Sequence, residues 1–97
     1  MQKIVYHAYV KQEVIFSAQY YESQCDGLGI RFLDEYDNSI SEISNFPLAW
    51  PILEGEYRRH QLANFPFGVI YRVVGSQIRI LALMNLHKKP GYWQERD

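Results

Sequence analysis

Residues 4–9, Ile4-Val5-Tyr6-His7-Ala8-Tyr9, are rich in β-branched and aromatic side chains and predict a first strand. From Val10 the period changes. Val10, Val14, Ala18 and Tyr21 recur at helical spacing, Ile15 widens the apolar face, and no glycine or proline intervenes before Gly27. Cys25-Asp26-Gly27-Leu28-Gly29 breaks this helix from a second one, its glycines free to take positive φ. The second helix is expected from Leu28 to Phe46. Leu28, Phe32, Leu33, Tyr36, Ile40 and Ile43 form its apolar stripe, with Arg31, Asp34, Glu35, Asp37 and Glu42 outside. Pro47 ends it, because the residue before a proline avoids the helical region.

Residues 47–55 hold two prolines and predict a loop, from which Trp50 folds back onto the core. Three strands follow: 57–64, then 69–74 after the turn Phe65-Pro66-Phe67-Gly68, then 77–86 after a Gly75-Ser76 hairpin. In the last strand Ile78, Ile80, Ala82 and Met84 are expected on one face, Leu81 and Leu83 on the other. A strand apolar on both faces belongs inside a sheet covered on both sides. Pro90 prevents the tail from extending that ladder. The order β-α-α-β-β-β predicts an α+β domain spanning 1–97, a helical hairpin on one face of a mostly antiparallel, twisted four-stranded sheet. The other face is expected to stay partly open to a partner.

Composition sharpens the picture in three places. Eight Tyr, five Phe and two Trp exceed what a small core can hide, so some rings are expected at an interface. The net charge of −1 conceals an asymmetry. Residues 1–56 carry three basic side chains against nine acidic, and residues 57–97 carry seven against two. Either the two halves pair within the fold or the basic half presents an anion-binding face. The single cysteine, Cys25, permits no internal disulfide and no Cys-based zinc site. No apolar run approaches the ~18 residues of a membrane span. The start of the chain lacks the apolar stretch of a secretory leader. A reducing cytoplasm and no membrane association are therefore expected.

Enzyme constellations are sparse. There is no glycine-rich phosphate loop and no nucleophile elbow. His7, His60 and His87 lack metal-ligand spacing, so neither a metal nor a cofactor is expected. Cys25, in a turn, reads as a free thiol, and Asp34 and Glu35 as part of a solvated face. What remains is a basic set on strands. Alternation places Arg58 and His60 on one face of their strand and Tyr57 and Arg59 on the other, with Arg72 and Arg79 on the next two strands. Arginines on rigid strands grip phosphate or carboxylate bidentately. Equally, they can pair with the acidic helices and hold the sheet. Metal-free RNA cleavage would need proton carriers, and His60, His87 and Tyr92 are the available ones.

Taken in order, several segments resemble the RelE/ParE superfamily of toxins from type II toxin–antitoxin modules. Tyr20-Tyr21-Glu22 with Gly27-Leu28-Gly29 and Phe32-Leu33 is similar to the family's helix–Gly-Leu-Gly–helix segment. Tyr57-Arg58-Arg59 and Phe65-Pro66-Phe67-Gly68-Val69-Ile70-Tyr71-Arg72 resemble its double-arginine strand and Phe-Pro-Tyr hairpin. Ile80-Leu81-Ala82-Leu83-Met84 and the tail His87-Lys88-Lys89-Pro90-Gly91-Tyr92-Trp93 resemble its last strand and terminus. The resemblance covers essentially the whole chain. Asn85 stands where many relatives have histidine, and Phe67 where tyrosine is usual.

The resemblance implies a bacterial, cytoplasmic growth-arrest toxin that forms a hetero-oligomer with a cognate antitoxin. The tail and double arginine look most like the ParE-like, plasmid-stabilisation branch, whose members poison DNA gyrase. The alternatives are a RelE-like, ribosome-dependent endoribonuclease cutting mRNA and an inactive relative that only binds its antitoxin. Target contact would fall to Arg58, Arg59, Arg72, His87, Lys88, Lys89, Tyr92 and Trp93. In a nuclease, Arg59, Arg72, His87 and Tyr92 would be the catalytic candidates. The antitoxin's arm, disordered until bound, would lie against Tyr9, Phe16, Tyr20 and Trp50. Tyr36 is a further candidate, although core packing suits Phe16 and Tyr36 well.

Overall fold

The computed structural model describes residues 3–88 and 91–96, in the order β1 (Lys3–Tyr6), α1 (Val10–Gln24), α2 (Leu28–Asn45), β2 (Ile52–Glu54), β3 (Tyr57–Gln61), β4 (Phe67–Val74), β5 (Gln77–Asn85) and a 3₁₀ helix, Tyr92–Arg96. The strands form one sheet in the order β1-β5-β4-β3-β2. β1 runs parallel to β5, and the other pairs are antiparallel. This is the expected α+β arrangement with five strands rather than four. The extra strand, β2, lies in the segment expected to be a loop. It is three residues long and follows Pro51, too short for alternation to register.

The helical hairpin closes tightly because of two glycines with different duties. Gly27 takes φ +85°, the left-handed conformation that opens α2. Gly29 lets the helices approach, since a Cβ there would stand 2.7 Å from the Ala18 carbonyl oxygen. Glu22 reaches across the turn, its carboxylate accepting from the backbone N–H groups of Gly27 and Gly29 at 3.0 Å. It thus satisfies orphan donors at the start of α2 from the helix before it.

Between helices and sheet lies an aromatic core. Phe32 stacks on Tyr21 at 5.3 Å between centroids and meets Phe65 and Phe67 edge-on at 5.0 and 5.1 Å. The Phe65-Pro66-Phe67 turn therefore inserts both rings beneath the hairpin, and part of the aromatic surplus is core. Tyr36 packs against the same core, half-buried, whereas Leu33 lies outside the buried stripe. Glu35 is anchored rather than merely solvated: its carboxylate accepts from Asn64 N–H at 2.8 Å and from Asn64 Nδ2 at 2.7 Å.

The faces of β5 differ from the expected pattern. Pairing with β4 passes from Ile70–Ala82 to Tyr71–Ile80, so Leu81 is an extra residue, a bulge. A one-residue slip reverses every side chain beyond it. Ile78, Ile80 and Leu83 thus face the helices, while Leu81, Ala82 and Met84 face the opposite side. That opposite side is not open here. Trp93, fully buried, packs there with Ile70, Leu81, Ala82 and Met84, and Leu53, Tyr57, Leu86 and Tyr92 surround them. The tail, lacking helical periodicity, carries the second core.

Candidate functional site

The outer surface of α1 is unusually apolar for a helix packed on a sheet. Tyr9, Phe16 and Tyr20 are 59%, 61% and 60% exposed. Spaced by seven and eleven residues, they fall within about 40° of one another around the helix axis. Phe16 is therefore not core, and the three rings form a continuous stripe. Beneath this stripe lies a groove of about 490 Å³, bounded by α1, the end of β5 and the tail. Phe16, Tyr20 and Tyr21 line one wall, Phe67, Leu83 and Asn85 the floor, and Lys88 and Tyr92 the far wall. Residues expected to meet an antitoxin and residues expected to meet a target thus share one groove.

One end of the groove is held by a clasp between α1 and the tail. β1 reaches β5 only as far as Ile80, whose carbonyl accepts from His7 N–H at 2.8 Å. Beyond that point the β5 edge has no neighbouring strand among the described residues. Glu13 accepts from Leu83 N–H at 3.1 Å, and Arg96 donates to the Leu81 carbonyl at 3.1 Å. The two side chains are themselves paired at 2.9 Å. Arg96 also lies over the rings of Tyr9 and Tyr92, 5.3 and 4.9 Å from their centroids. Tyr92 is fixed by this packing. Burial raises its pKa, with Glu13 adding to the rise and Arg96 opposing it, so near neutral pH the phenol is a hydrogen-bond donor and not a base.

The remaining expected site residues are dispersed. Arg58, on the helix side of β3, donates to the carbonyls of Leu48 at 3.2 Å and Trp50 at 2.7 Å, pinning the loop before β2. Trp50 folds back as expected, its ring 4.3 Å from that of His60. Nε2–H of His60 donates to Glu42 at 3.0 Å. Arg59 lies across Gly68 on the other face of the sheet. A Cβ at Gly68 would meet its Cγ and Cδ at 2.8 and 2.9 Å. Arg72 pairs with Glu56 at 3.3 Å. Trp93, expected at a target surface, is core instead, because the bulged β5 presents an apolar face that needs covering. His87 is exposed, and Lys89 lies outside the described residues. Asn85 acts locally, where its Oδ1 accepts from His87 N–H at 2.9 Å and turns the chain out of β5.

Two cations stand out from this set. Among the described residues the side chains of Arg59 and Lys88 have no hydrogen-bond or ion-pair partner. Arg59 borders a second cleft of about 460 Å³ beside β2, together with Trp50, Ile52 and His60. Of the four nuclease candidates, that cleft takes in Arg59 alone and the α1 groove Tyr92 alone. What the α1 groove can do chemically is bind: aromatic walls, a strand edge and one uncommitted ammonium suit a polypeptide. Sequence periodicity could have found the stripe, since Tyr9, Phe16 and Tyr20 lie off the buried positions Val10, Val14 and Ala18. The Glu13–Arg96 clasp carried no comparable signal.

No family model matches the chain, and no curated protein matches it. Among solved structures, a chain of the one described as "Chromosomal ParDE TA system from P. aeruginosa" has a similar fold, with a TM-score of 0.66 and 15% sequence identity. The match covers 90% of this chain and 98% of that one. The RelE/ParE-like fold expected from the ordered segments is the fold this chain adopts.

Proposed function

We propose that this chain is the toxin of a bacterial type II toxin–antitoxin module, arresting growth by binding DNA gyrase and neutralised by a cognate antitoxin. The observation that carries this reading is the α1 groove, where Phe16 and Tyr20 face Lys88 and Tyr92. An exposed aromatic stripe on a helix costs solubility unless a partner covers it. The likeness to a chain of a ParDE system supports an antitoxin as that partner, with an arm that orders on binding. Binding is favoured over RNA cleavage because Arg59, Arg72, His87 and Tyr92 are not gathered in one cleft, and Tyr92 is held as a donor. A cut phosphodiester needs base, acid and cation within hydrogen-bond reach of one substrate.

The test is induction of the chain alone in a bacterial culture. Viable counts should fall at least tenfold. Lys88→Glu should relieve the arrest without lowering the melting temperature, because Lys88 is exposed and holds nothing together. Undiminished arrest by Lys88→Glu would remove the groove's mouth from target recognition. Growth unaffected by soluble, folded chain would contradict the toxin reading.

A further inference from the structure

The joint between β1 and α1 turns on one imidazole. His7 follows the last residue of β1, and its N–H donates to the Ile80 carbonyl at 2.8 Å. Its own carbonyl accepts from Val10 N–H at 3.1 Å, so its backbone is tied to both sheet and helix. Its Nδ1 accepts from Tyr9 N–H, also at 3.1 Å. An accepting Nδ1 carries no proton, which places the ring proton on Nε2. Tyr9, at the N-cap position of α1, makes no side-chain cap of its own. His7 therefore takes up two N–H groups where α1 opens, one on its carbonyl and one on its ring.

The surroundings offer a protonated ring no compensating partner. The titratable and charged groups that share a cleft with His7 are Tyr6 on β1, Lys11 on α1, Tyr36 on α2, Arg79 on β5 and Arg96 on the 3₁₀ helix. Three of these are cations, and no carboxylate among the described residues lines either cleft. Asp37 of α2 acts on Tyr6 and Tyr36 but lines neither cleft. Glu13 of α1 is bound to Arg96. An imidazolium would also stand at the positive end of the α1 dipole. Its Nδ1–H would meet the Tyr9 N–H donor to donor.

We propose that His7 is a proton-operated latch on the start of α1: neutral, it holds Tyr9 and the first helical turn in place; protonated, it releases them and slackens the clasp between α1 and the tail. The connection runs through adjacent contacts. The Tyr9 carbonyl accepts from Glu13 N–H at 3.1 Å. The Tyr9 ring meets the His7 ring edge-on at 5.1 Å and lies beneath Arg96 at 5.3 Å. Glu13 and Arg96 are the two halves of the clasp. Losing the Tyr9 N–H bond therefore loosens both halves at one end of the groove. The latched state holds one proton fewer than the released state. It is complete above the imidazole range, centred near ~6.5, and is lost as pH falls below it. The latch does not depend on the toxin reading.

Amide hydrogen exchange of the purified chain, followed by NMR at pH 7.5 and 5.5, tests it, each rate being divided by that of an unstructured peptide at the same pH. Protection at Tyr9 and Glu13 should fall about fivefold at the lower pH, the loss of one net hydrogen bond. Ile70 and Ala82, paired in the middle of the sheet, should keep theirs. His7→Asn supplies a carboxamide oxygen that accepts from the N–H two residues on without titrating. Its protection should be the same at both pH values. Imidazole nitrogen shifts of the wild-type chain at pH 7.5 should place the His7 proton on Nε2. Unchanged protection at Tyr9 between the two pH values, an equal fall in His7→Asn, or a proton on Nδ1 at pH 7.5 would each overturn the latch. Should His7→Asn not fold, the two wild-type readings decide alone.

Discussion

Glu13 accepts from Leu83 N–H with one carboxylate oxygen and pairs with Arg96 through the other, so a single side chain joins α1, the β5 edge and the tail. Both partners are mostly buried, with side-chain exposures of 23% and 15%. Removing one partner of such a pair leaves the other charge and a strand N–H uncompensated. Glu13→Ala is expected to lower unfolding free energy by roughly 3 kcal/mol, read as a shift in urea midpoint at constant slope. A loss below about 0.5 kcal/mol would place the clasp among surface ion pairs of little consequence. Tyr71 makes a second prediction at this scale. Its hydroxyl donates to the Pro47 carbonyl at 2.7 Å, and burial pushes its pKa up to about 12. Between pH 10 and 12 the unfolded chain therefore holds fewer protons at this group than the native one, and stability falls as pH rises. Below pH 10 the contribution is complete. Tyr71→Phe should be less stable at pH 8 and show a shallower decline from pH 10 to 12.

Among the elements, the helical hairpin and β3–β5 were legible because their signals are local. Gly27 and Gly75-Ser76 each mark a boundary that the backbone obeys, and the Phe65-Pro66 turn separates two strands, although β3 ends at Gln61 and β4 starts at Phe67. The elements that escaped the pattern are those whose stability is not local. β2 exists because β3 offers it an edge, and the 3₁₀ helix exists because Trp93 covers a face of the sheet. The bulge at Leu81 likewise had no local signal, and it turned Ala82 and Met84 away from the helices and Leu83 toward them. Truncation before Tyr92 should therefore expose Ile70, Leu81, Ala82 and Met84 and drive the chain into aggregates, measurable by light scattering on refolding. A truncated chain that stays monomeric and folded would show the second core to be dispensable. Gly29→Ala tests the hairpin: forced against the Ala18 carbonyl, the methyl group should cost about 1–3 kcal/mol.

Over the whole molecule, the charge asymmetry resolves into a division of labour. Glu13–Arg96 and Glu56–Arg72 each join an acidic residue of positions 1–56 to a basic residue of positions 57–97, and Glu42 accepts a hydrogen bond from His60. Much of the basic set that composition offered for anion binding is thus spent on holding the fold. Arg58 is spent on carbonyls in the same way. Arg59 and Lys88 remain, on separate clefts. The candidate site was legible as a set of residues but not as a place. Phe16 and Tyr20 come together with Lys88 and Tyr92 only because β1 stops at Tyr6 and leaves room beside β5.

The toxin proposed above acts by binding the replication machinery and not by cutting RNA. Pulse labelling in a bacterial culture, minutes after inducing this chain alone, tests it most directly. Thymidine uptake is followed beside methionine incorporation. DNA synthesis is expected to fall first, with protein synthesis sustained through the early pulses. An immediate fall in methionine incorporation with thymidine uptake intact would contradict it and return Arg59, Arg72, His87 and Tyr92 to consideration as catalytic residues.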